Sequence, residues 1–145
     1  MRCQEIMKDD VACLSPMDSA EVAARMMRDL NVGFLPVCDG SGKPIGAITD
    51  RDLTVRLIAE HGDLDTPINR LMTGAVVACR TDDDVRKAQA LMAEHHKSRI
   101  IVLEAEGRVA GVISLSDLAD RIDGPGAAQT MRAVSQREVL PFYGL

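Results

Sequence analysis

Two segments of the chain place a hydroxyl side chain and a carboxylate three residues apart, each after a glycine in an apolar run. The two sets are Gly46, Thr49 and Asp52, and Gly111, Ser114 and Asp117. A hydroxyl at the end of a strand, followed by the free N–H groups of a helix N-terminus, can bind a phosphate. A carboxylate in the first helical turn can accept from two vicinal hydroxyls, which a ribose offers. Phosphate together with a diol predicts a nucleotide site.

The same residues also have a purely structural interpretation. Thr49 and Ser114 are good N-cap residues, and Asp52 and Asp117 are favourable charges in a first helical turn. Seen alone, each set favours capping.

The residue before each aspartate differs between the two segments. Arg51 has a cationic fork suited to phosphate, whereas Ser116 holds the equivalent place and carries no charge. We therefore expect the two sites to differ in their preference for phosphate.

The chain repeats itself at an offset of 65 positions without a gap. Identical pairs at this offset include Met7 with Met72, Val11 with Val76, Ala23 with Ala88, Met27 with Met92, Val37 with Val102, Gly46 with Gly111, Ile48 with Ile113, Asp52 with Asp117 and Arg56 with Arg121. One offset that survives this many identities indicates two copies of one supersecondary unit.

Each copy is predicted to run strand, helix, strand, strand, helix, from apolar periodicity, capping residues and turn residues. In the first copy the predicted strands are Val11–Leu14, Phe34–Cys38 and Ile45–Thr49; the predicted helices run from the N-cap Ser19 to about Asn31 and over Asp50–His61, which Gly62 ends. In the second copy the predicted strands are Val76–Cys79, Arg99–Leu103 and Val109–Ser114, and the predicted helices are Asp83–His96 and Leu115–Asp123. Thr66 and Pro67 predict an N-cap and first position of a linker helix up to Met72. Cys3–Met7 is expected to form the equivalent short helix before the first copy.

Three short strands and two helices of roughly 50 residues have too little core to be stable alone. We therefore expect an α/β (α+β) fold in which two repeats pack sheet to sheet into one body. The predicted domains are residues 1–62, the first repeat with its short N-terminal helix, and 63–123, the linker helix and second repeat. Residues 124–145 form a tail with a predicted helix, Ala127–Leu140, followed by Phe142 and Tyr143. The tail is expected to pack on the repeats or on a second chain.

Composition excludes several classes of function. The 145 residues include 17 basic and 22 acidic side chains, a net charge of −5, which argues against nucleic acid or an anionic membrane as the main partner. No apolar run approaches the ~18 residues of a membrane-spanning helix, and charges near Met1 argue against a signal peptide, so a cytoplasmic location is expected.

The cysteines and histidines give no metal signature. Cys3, Cys13, Cys38 and Cys79 lack a CxxC pair, and three of them lie in apolar runs that are typical of strands. We expect buried, reduced thiols. His61, His95 and His96 do not have metal-ligand spacing on one helical face, so a zinc site is not expected.

The segments Gly46-Ala-Ile-Thr-Asp-Arg-Asp52 and Gly111-Val-Ile-Ser-Leu-Ser-Asp117 resemble the nucleotide motif of CBS (cystathionine-β-synthase) repeats. The resemblance covers about residues 6–123. Together with the duplication, it favours ligand contacts over capping alone for the hydroxyl and aspartate of each motif. It implies a tandem CBS pair, or Bateman module, here as a stand-alone protein; similar modules are regulatory parts of AMP-activated kinase, IMP dehydrogenase and several channels.

The resemblance also implies a ligand and its contacts. The ligand would be an adenine nucleotide, AMP, ADP or ATP, with NAD or S-adenosylmethionine as further possibilities. The base would lie near the first strand of each repeat, at Val11, Ser15, Pro16, Val76, Val77 and Thr81. Lys97 and Arg99 replace Val32 and Phe34 of the first copy; they could face a polyphosphate or be solvated residues at a strand edge. A homodimer that acts on a separate effector protein is implied.

Two functions remain open and a third is disfavoured. The chain could be a nucleotide sensor, or an interaction module whose output is dimerisation and whose nucleotide pocket is vestigial. An enzyme is not expected, because the sequence lacks a GxSxG elbow, a Walker loop and an HExxH motif.

Overall fold

The structure is a computed structural model that describes residues 1–122 and 125–139. Its elements, in chain order, are α1 (Cys3–Ile6), α2 (Ala20–Leu30), β1 (Phe34–Cys38), β2 (Pro44–Thr49), α3 (Asp50–Asp52), β3 (Ala78–Arg80), α4 (Val85–His95), β4 (Arg99–Leu103), β5 (Val109–Ser114), α5 (Leu115–Arg121) and α6 (Pro125–Val139). A π-helical segment, Leu53–Ile58, continues α3, and a 3₁₀ turn, Ile68–Arg70, precedes β3.

The chain forms two compact units. The repeat-one unit contains residues 11–76 and 107–109, and the repeat-two unit contains residues 1–10, 77–106 and the described residues from 110 onward. Residues 1–10, which we expected to serve the first copy, therefore belong with the second. Cys3 and Ile6 of α1 are buried in the apolar core of the repeat-two unit, whereas Ile68 and Leu71 of the linker are buried in that of the repeat-one unit.

The first long helix confirms its predicted signals. The Ser19 hydroxyl accepts from the backbone N–H of Val22, and Asn31 ends α2 in the left-handed conformation, with φ 54°. In the second copy Asp84 caps α4, one residue later than the predicted start, and His96 ends it with φ 52°. Since His96 is the counterpart of Asn31, both copies end this helix in the same way.

The predicted first strand of the first copy is wrong in extent. Leu14 alone pairs, in a parallel bridge with Val37 of β1. The cause is Pro36, which has no N–H to donate to the neighbouring strand. In the second copy its counterpart is Ile101, whose N–H donates to the carbonyl oxygen of Val77 at 3.1 Å, and β3 forms there.

The strands that lead to the two motifs form as predicted. In the repeat-one unit β1 and β2 pair antiparallel, with Phe34 opposite Thr49. Asp39 closes their turn, since its carboxylate accepts from the backbone N–H of Ser41 and of Lys43. In the repeat-two unit the strand order is β3-β4-β5, with β3 parallel to β4.

The predicted regular helix Asp50–His61 is replaced by a single α-helical turn and the π-helical segment. There the N–H of Ala59 bonds the carbonyl oxygen of Thr54, five residues back, while Leu53 and Leu57 are buried. The segment ends through His61, which has φ 55°, rather than through Gly62 itself. In the linker, Pro67 is the residue before the 3₁₀ turn rather than its first position.

The chain after the second repeat packs on the repeat-two unit. Helix α6 contacts α4 and α5, and Val134 is buried with the residues of that core. His96 Nδ1 lies 2.7 Å from the carbonyl oxygen of Ala133. Leu140, Phe142 and Tyr143 lie outside the described residues. None of the helices in residues 1–122 and 125–139 has the length and the hydropathy that a membrane-spanning helix requires.

Candidate functional site

The first motif ends β2 and begins α3 with a reciprocal cap. Thr49 Oγ1 accepts from the backbone N–H of Asp52 at 3.1 Å, and Asp52 Oδ2 accepts from the backbone N–H of Thr49 at 2.9 Å. Because Thr49 is extended and the next residues are helical, the hydroxyl and the carboxylate face each other across the strand end. Thr49 and Asp52 therefore cap the helix, as the structural interpretation predicted. Asp52 Oδ1 takes no part in the cap.

The second motif repeats this geometry at the junction of β5 and α5. Ser114 Oγ accepts from the backbone N–H of Asp117 at 3.2 Å, and Asp117 Oδ2 accepts from the backbone N–H of Ser114 at 2.8 Å. A further hydroxyl is present, because Ser116 Oγ lies 2.8 Å from Ser114 Oγ. The second motif therefore presents two neighbouring hydroxyls beside one carboxylate.

A cation faces the second oxygen of each carboxylate. Arg56 Nε lies 3.8 Å from Asp52 Oδ1, and Lys8 Nζ lies 3.6 Å from Asp117 Oδ1. The aspartate side chains are only 14% and 11% exposed, so cap and cation together compensate carboxylates that have lost most of their water. The cations differ in origin: Arg56 is on the motif's own helix, whereas Lys8 comes from residues 1–10.

The motif glycines lie where another stretch of chain crosses. A Cβ on Gly46 would lie 2.5 Å from the carbonyl oxygen of Thr73, and one on Gly111 would lie 2.5 Å from that of Lys8. Ala47 exchanges both backbone hydrogen bonds with Thr73, at 2.9 and 3.0 Å. Each glycine is therefore required for backbone packing, whatever the site binds.

The predicted base contacts of the first repeat lie on both sides of Leu14, which pairs with Val37 in a parallel bridge. Val11 lies three residues before this bridge, in chain that forms no strand. Ser15 and Pro16 follow the bridge directly. The backbone N–H of Ser15 donates to Asp18, and the carbonyl oxygen of Pro16 accepts from the backbone N–H of Asn69. Their assignment to the ligand stays a prediction.

In the second repeat, predicted ligand contacts lie near opposite ends of β4. The carbonyl oxygen of Ser98 accepts from the backbone N–H of Leu115, so the first residue of β4, Arg99, lies near the motif. The backbone N–H of Thr81 bonds the carbonyl oxygen of Leu103, at the far end of β4. Val77 precedes β3, and its carbonyl oxygen accepts a hydrogen bond from the backbone N–H of Ile101. Val76 belongs to the repeat-one unit.

Two residues near the motifs were missed by sequence reasoning. Arg56 donates through Nη1 to the carbonyl oxygens of Leu71 and Met72, at 3.1 and 3.2 Å, and so ties the motif helix to the crossing chain. Its spacing of four residues from Asp52 was a usable signal. Lys8 gave no local signal, because it lies far from Asp117 in sequence. The exposed Arg51 follows Asp50, whose carboxylate accepts from its backbone N–H.

The arrangement offers hydrogen-bond acceptors, hydroxyls and cations. Within the described part of the chain, no group of three His, Cys, Asp or Glu side chains is placed to hold a metal ion.

The cysteine prediction is wrong at one position. Cys38 and Cys79 are buried strand residues and Cys3 is buried in α1, but Cys13 is exposed, contrary to the expectation that all four are buried.

Comparison with known families matches the CBS domain at residues 3–59 and again at 68–124. The chain belongs to the CBS domain family. Curated relatives include the CBS domain-containing protein YhcV of Bacillus subtilis, 28% identical over 94% of this chain and 96% of that protein. The uncharacterized protein YlbB of the same organism is 34% identical over 81% of this chain and 80% of its own length.

Solved structures of CBS proteins have the same fold. The cytosolic domain of the Mg²⁺ channel MgtE in complex with ATP has a TM-score of 0.72 and 25% identity, and covers 82% of this chain and 48% of that one. A CBS domain protein from Pyrobaculum aerophilum complexed with AMP has a TM-score of 0.76 at 21% identity, covering 93% and 99% of the two chains. The α/β fold of a CBS pair is thus established for this chain.

Proposed function

We propose that this chain is a regulatory, non-catalytic module that binds an adenine nucleotide and acts on a separate partner protein. One observation carries the proposal: both units present an aspartate Oδ1 outside the helix cap, beside a cation and a hydroxyl at the same strand end. An acceptor beside a cation suits a ribose that carries a phosphate.

The residues have distinct roles in this proposal. Asp52 and Asp117 accept from the ribose hydroxyls, while Thr49 and Ser114 contact the phosphate. Arg51 and Ser116 then set the difference in phosphate preference, since one side chain carries a charge and the other does not. The ATP complex of the MgtE cytosolic domain supports adenine nucleotides as the ligand class. AMP, ADP, ATP, NAD and S-adenosylmethionine are the candidates.

We further propose that the protein acts as a cytoplasmic homodimer. The repeat-one unit carries large apolar side chains at its surface, namely Val22, Leu30, Val55, Ile58 and Leu64. Covering such side chains with a second copy removes apolar surface from water, which favours association.

Isothermal titration calorimetry tests the proposal. The purified protein is titrated with AMP, ADP, ATP, NAD and S-adenosylmethionine, with GTP and inorganic phosphate as controls. Saturable heat with one or more adenine ligands, and weaker heat with the controls, is expected. Absence of heat from every adenine ligand at millimolar concentration contradicts the proposal.

A second function, an interaction module without a working nucleotide pocket, is favoured by the caps. In both motifs the hydroxyl and Oδ2 already have partners within the chain. In that case Asp52→Asn and Asp117→Asn together leave both dimerisation and partner capture unchanged, with or without nucleotide. Sedimentation and affinity capture with and without ligand distinguish the two functions.

A further inference from the structure

The thiols of Cys3 and Cys79 lie together inside the repeat-two unit. Their Sγ atoms are 3.5 Å apart, although the residues are 76 positions apart in sequence. Cys3 is 0% and Cys79 is 2% exposed. We propose that mild oxidation joins these thiols in a reversible disulfide, which fastens residues 1–10 to the second repeat.

The backbone holds the two cysteines in position for the bond. The N–H of Cys3 donates to the carbonyl oxygen of Asp83 at 2.9 Å, and that of Gln4 to the carbonyl oxygen of Thr81 at 3.0 Å. These bonds seat α1 beside β3, which contains Cys79. A disulfide needs a sulfur separation of about 2.05 Å, so side-chain rotation at both residues has only a short gap to close.

The two thiols differ in acidity. The hydrogen bond from Cys79 lowers the pKa of Cys3, whereas the hydrogen bond to Cys3, followed by burial, raises the pKa of Cys79. Since the thiolate is the nucleophile, Cys3 reacts first and Cys79 resolves the product. Helix α1 has only four residues, and local opening of so short an element gives a small oxidant access.

A hydroperoxide supplies the oxidising equivalents. The Cys3 thiolate attacks one oxygen of hydrogen peroxide; the O–O bond breaks, and the leaving hydroxide takes a proton to become water. Cys3 is then a sulfenic acid. The Cys79 sulfur attacks it, the S–S bond forms, the S–O bond breaks, and the second water leaves with the Cys79 proton. Two thiols lose two electrons, and the peroxide gains them.

The bond would act on the segment that reaches the second motif. Lys8 exchanges two backbone hydrogen bonds with Val112, both at 3.0 Å, and its side chain pairs with Asp117. With Cys3 covalently attached, residues 1–10 cannot leave the unit by local opening. The oxidised form should therefore resist thermal unfolding more than the reduced form, because the link also restricts the unfolded chain.

The test uses a Cys13→Ser/Cys38→Ser background, in which Cys3 and Cys79 are the remaining thiols. The protein is treated with hydrogen peroxide and followed by intact mass, thiol titration and peptide mapping. The expected result is a loss of two hydrogen atoms, loss of both thiols, a peptide pair linked through Cys3 and Cys79, and a thermal midpoint raised by several degrees. A dithiol reductant should reverse all four changes. Adding Cys79→Ser should abolish them.

Three results overturn the proposal. The thiols persist at peroxide concentrations that oxidise a free dithiol; or mass increases by oxygen without a linked peptide; or the link joins two chains. If the double background does not fold, peptide mapping of the oxidised wild-type chain decides between the same outcomes, because the linked peptide pair is identified by its mass alone.

Discussion

The carbonyl oxygen of Lys8 lies 2.5 Å from the point that a Cβ on Gly111 would occupy. The carbonyl oxygen of Thr73 has the same relation to Gly46, and Lys8 and Thr73 are related by the repeat offset. Each unit is thus closed by a segment that crosses the strand leading to its motif. The glycine is the residue that permits this crossing.

Replacing Gly46 or Gly111 by alanine should destabilise the protein. The new methyl group meets a backbone oxygen that cannot rotate away, so we expect a loss of about 1–3 kcal/mol in the free energy of unfolding, typical of overpacking. Urea denaturation measures it. Gly74→Ala is the matched control, because a Cβ there has no atom within 4 Å. Equal stability of Gly111→Ala and Gly74→Ala would contradict the crossing.

Arg56→Met should loosen the first motif. The variant keeps much of the apolar stem but loses the bonds to the carbonyl oxygens of Leu71 and Met72 and the ion pair with Asp52. Since the Arg56 side chain is about half exposed, we expect a loss of roughly 1 kcal/mol, discounted for solvent screening. Chemical denaturation checks this, and Arg28→Met, at an exposed pair with Asp29, should have little effect.

Capping and turn residues in the sequence predicted the helix ends and the hairpin turn that they form. Ser19 and Asn31 marked α2, and the Asp39 turn marked the first hairpin, because caps and turns are formed by near neighbours. The failure at Val11–Leu14 has a cause that was visible in the sequence. Pro36 lacks a donor for the adjacent strand, and its counterpart Ile101 has one.

The candidate site was predictable only in part. The spacing of Thr49 and Asp52 indicated both a cap and a ligand contact, and the cap is realised. The contacts of Lys8 with Asp117 and of Cys3 with Cys79 depend on where residues 1–10 pack. No periodicity or motif carries that information, because these contacts join distant parts of the chain.

The Asp84 carboxylate should titrate in strong acid. Its pKa is lowered from 3.8 to about 2, chiefly by the hydrogen bond from the Arg86 side chain. A lowered pKa in the folded state means that the contribution to stability is present above pH 4 and is lost as the pH falls toward 2. Carbon-detected NMR titration measures the midpoint.

The pKa of Asp39, in the repeat-one unit, serves as the control for that of Asp84. Arg86→Gln should return the pKa of Asp84 toward 3.8 and leave that of Asp39 low, because the Ser41 hydroxyl holds the latter. If Arg86→Gln does not move the midpoint of Asp84, the ascribed cause is wrong.

Helix α6 should contribute to the stability of the repeat-two unit. Val134 is 4% exposed, and Val134→Ala removes its two methyl groups, so we expect a loss of about 1–2 kcal/mol in the free energy of unfolding from burial and cavity terms. Thermal and chemical unfolding measure it. Met131→Ala, on an exposed position of the same helix, is the control and should change stability little. If the two variants unfold alike, α6 does not pack as described.

The most direct test of nucleotide binding compares Asp52→Asn and Asp117→Asn, made separately, by calorimetric titration with AMP and ATP. Asp50→Asn and Asp120→Asn remove the same charge from exposed positions of the same two helical segments and serve as controls. The account predicts that each motif variant loses one class of sites, that the double variant loses both, and that the controls bind like the wild type. Binding unchanged in the folded double variant would show that the motif aspartates do not hold a ribose and would contradict the account.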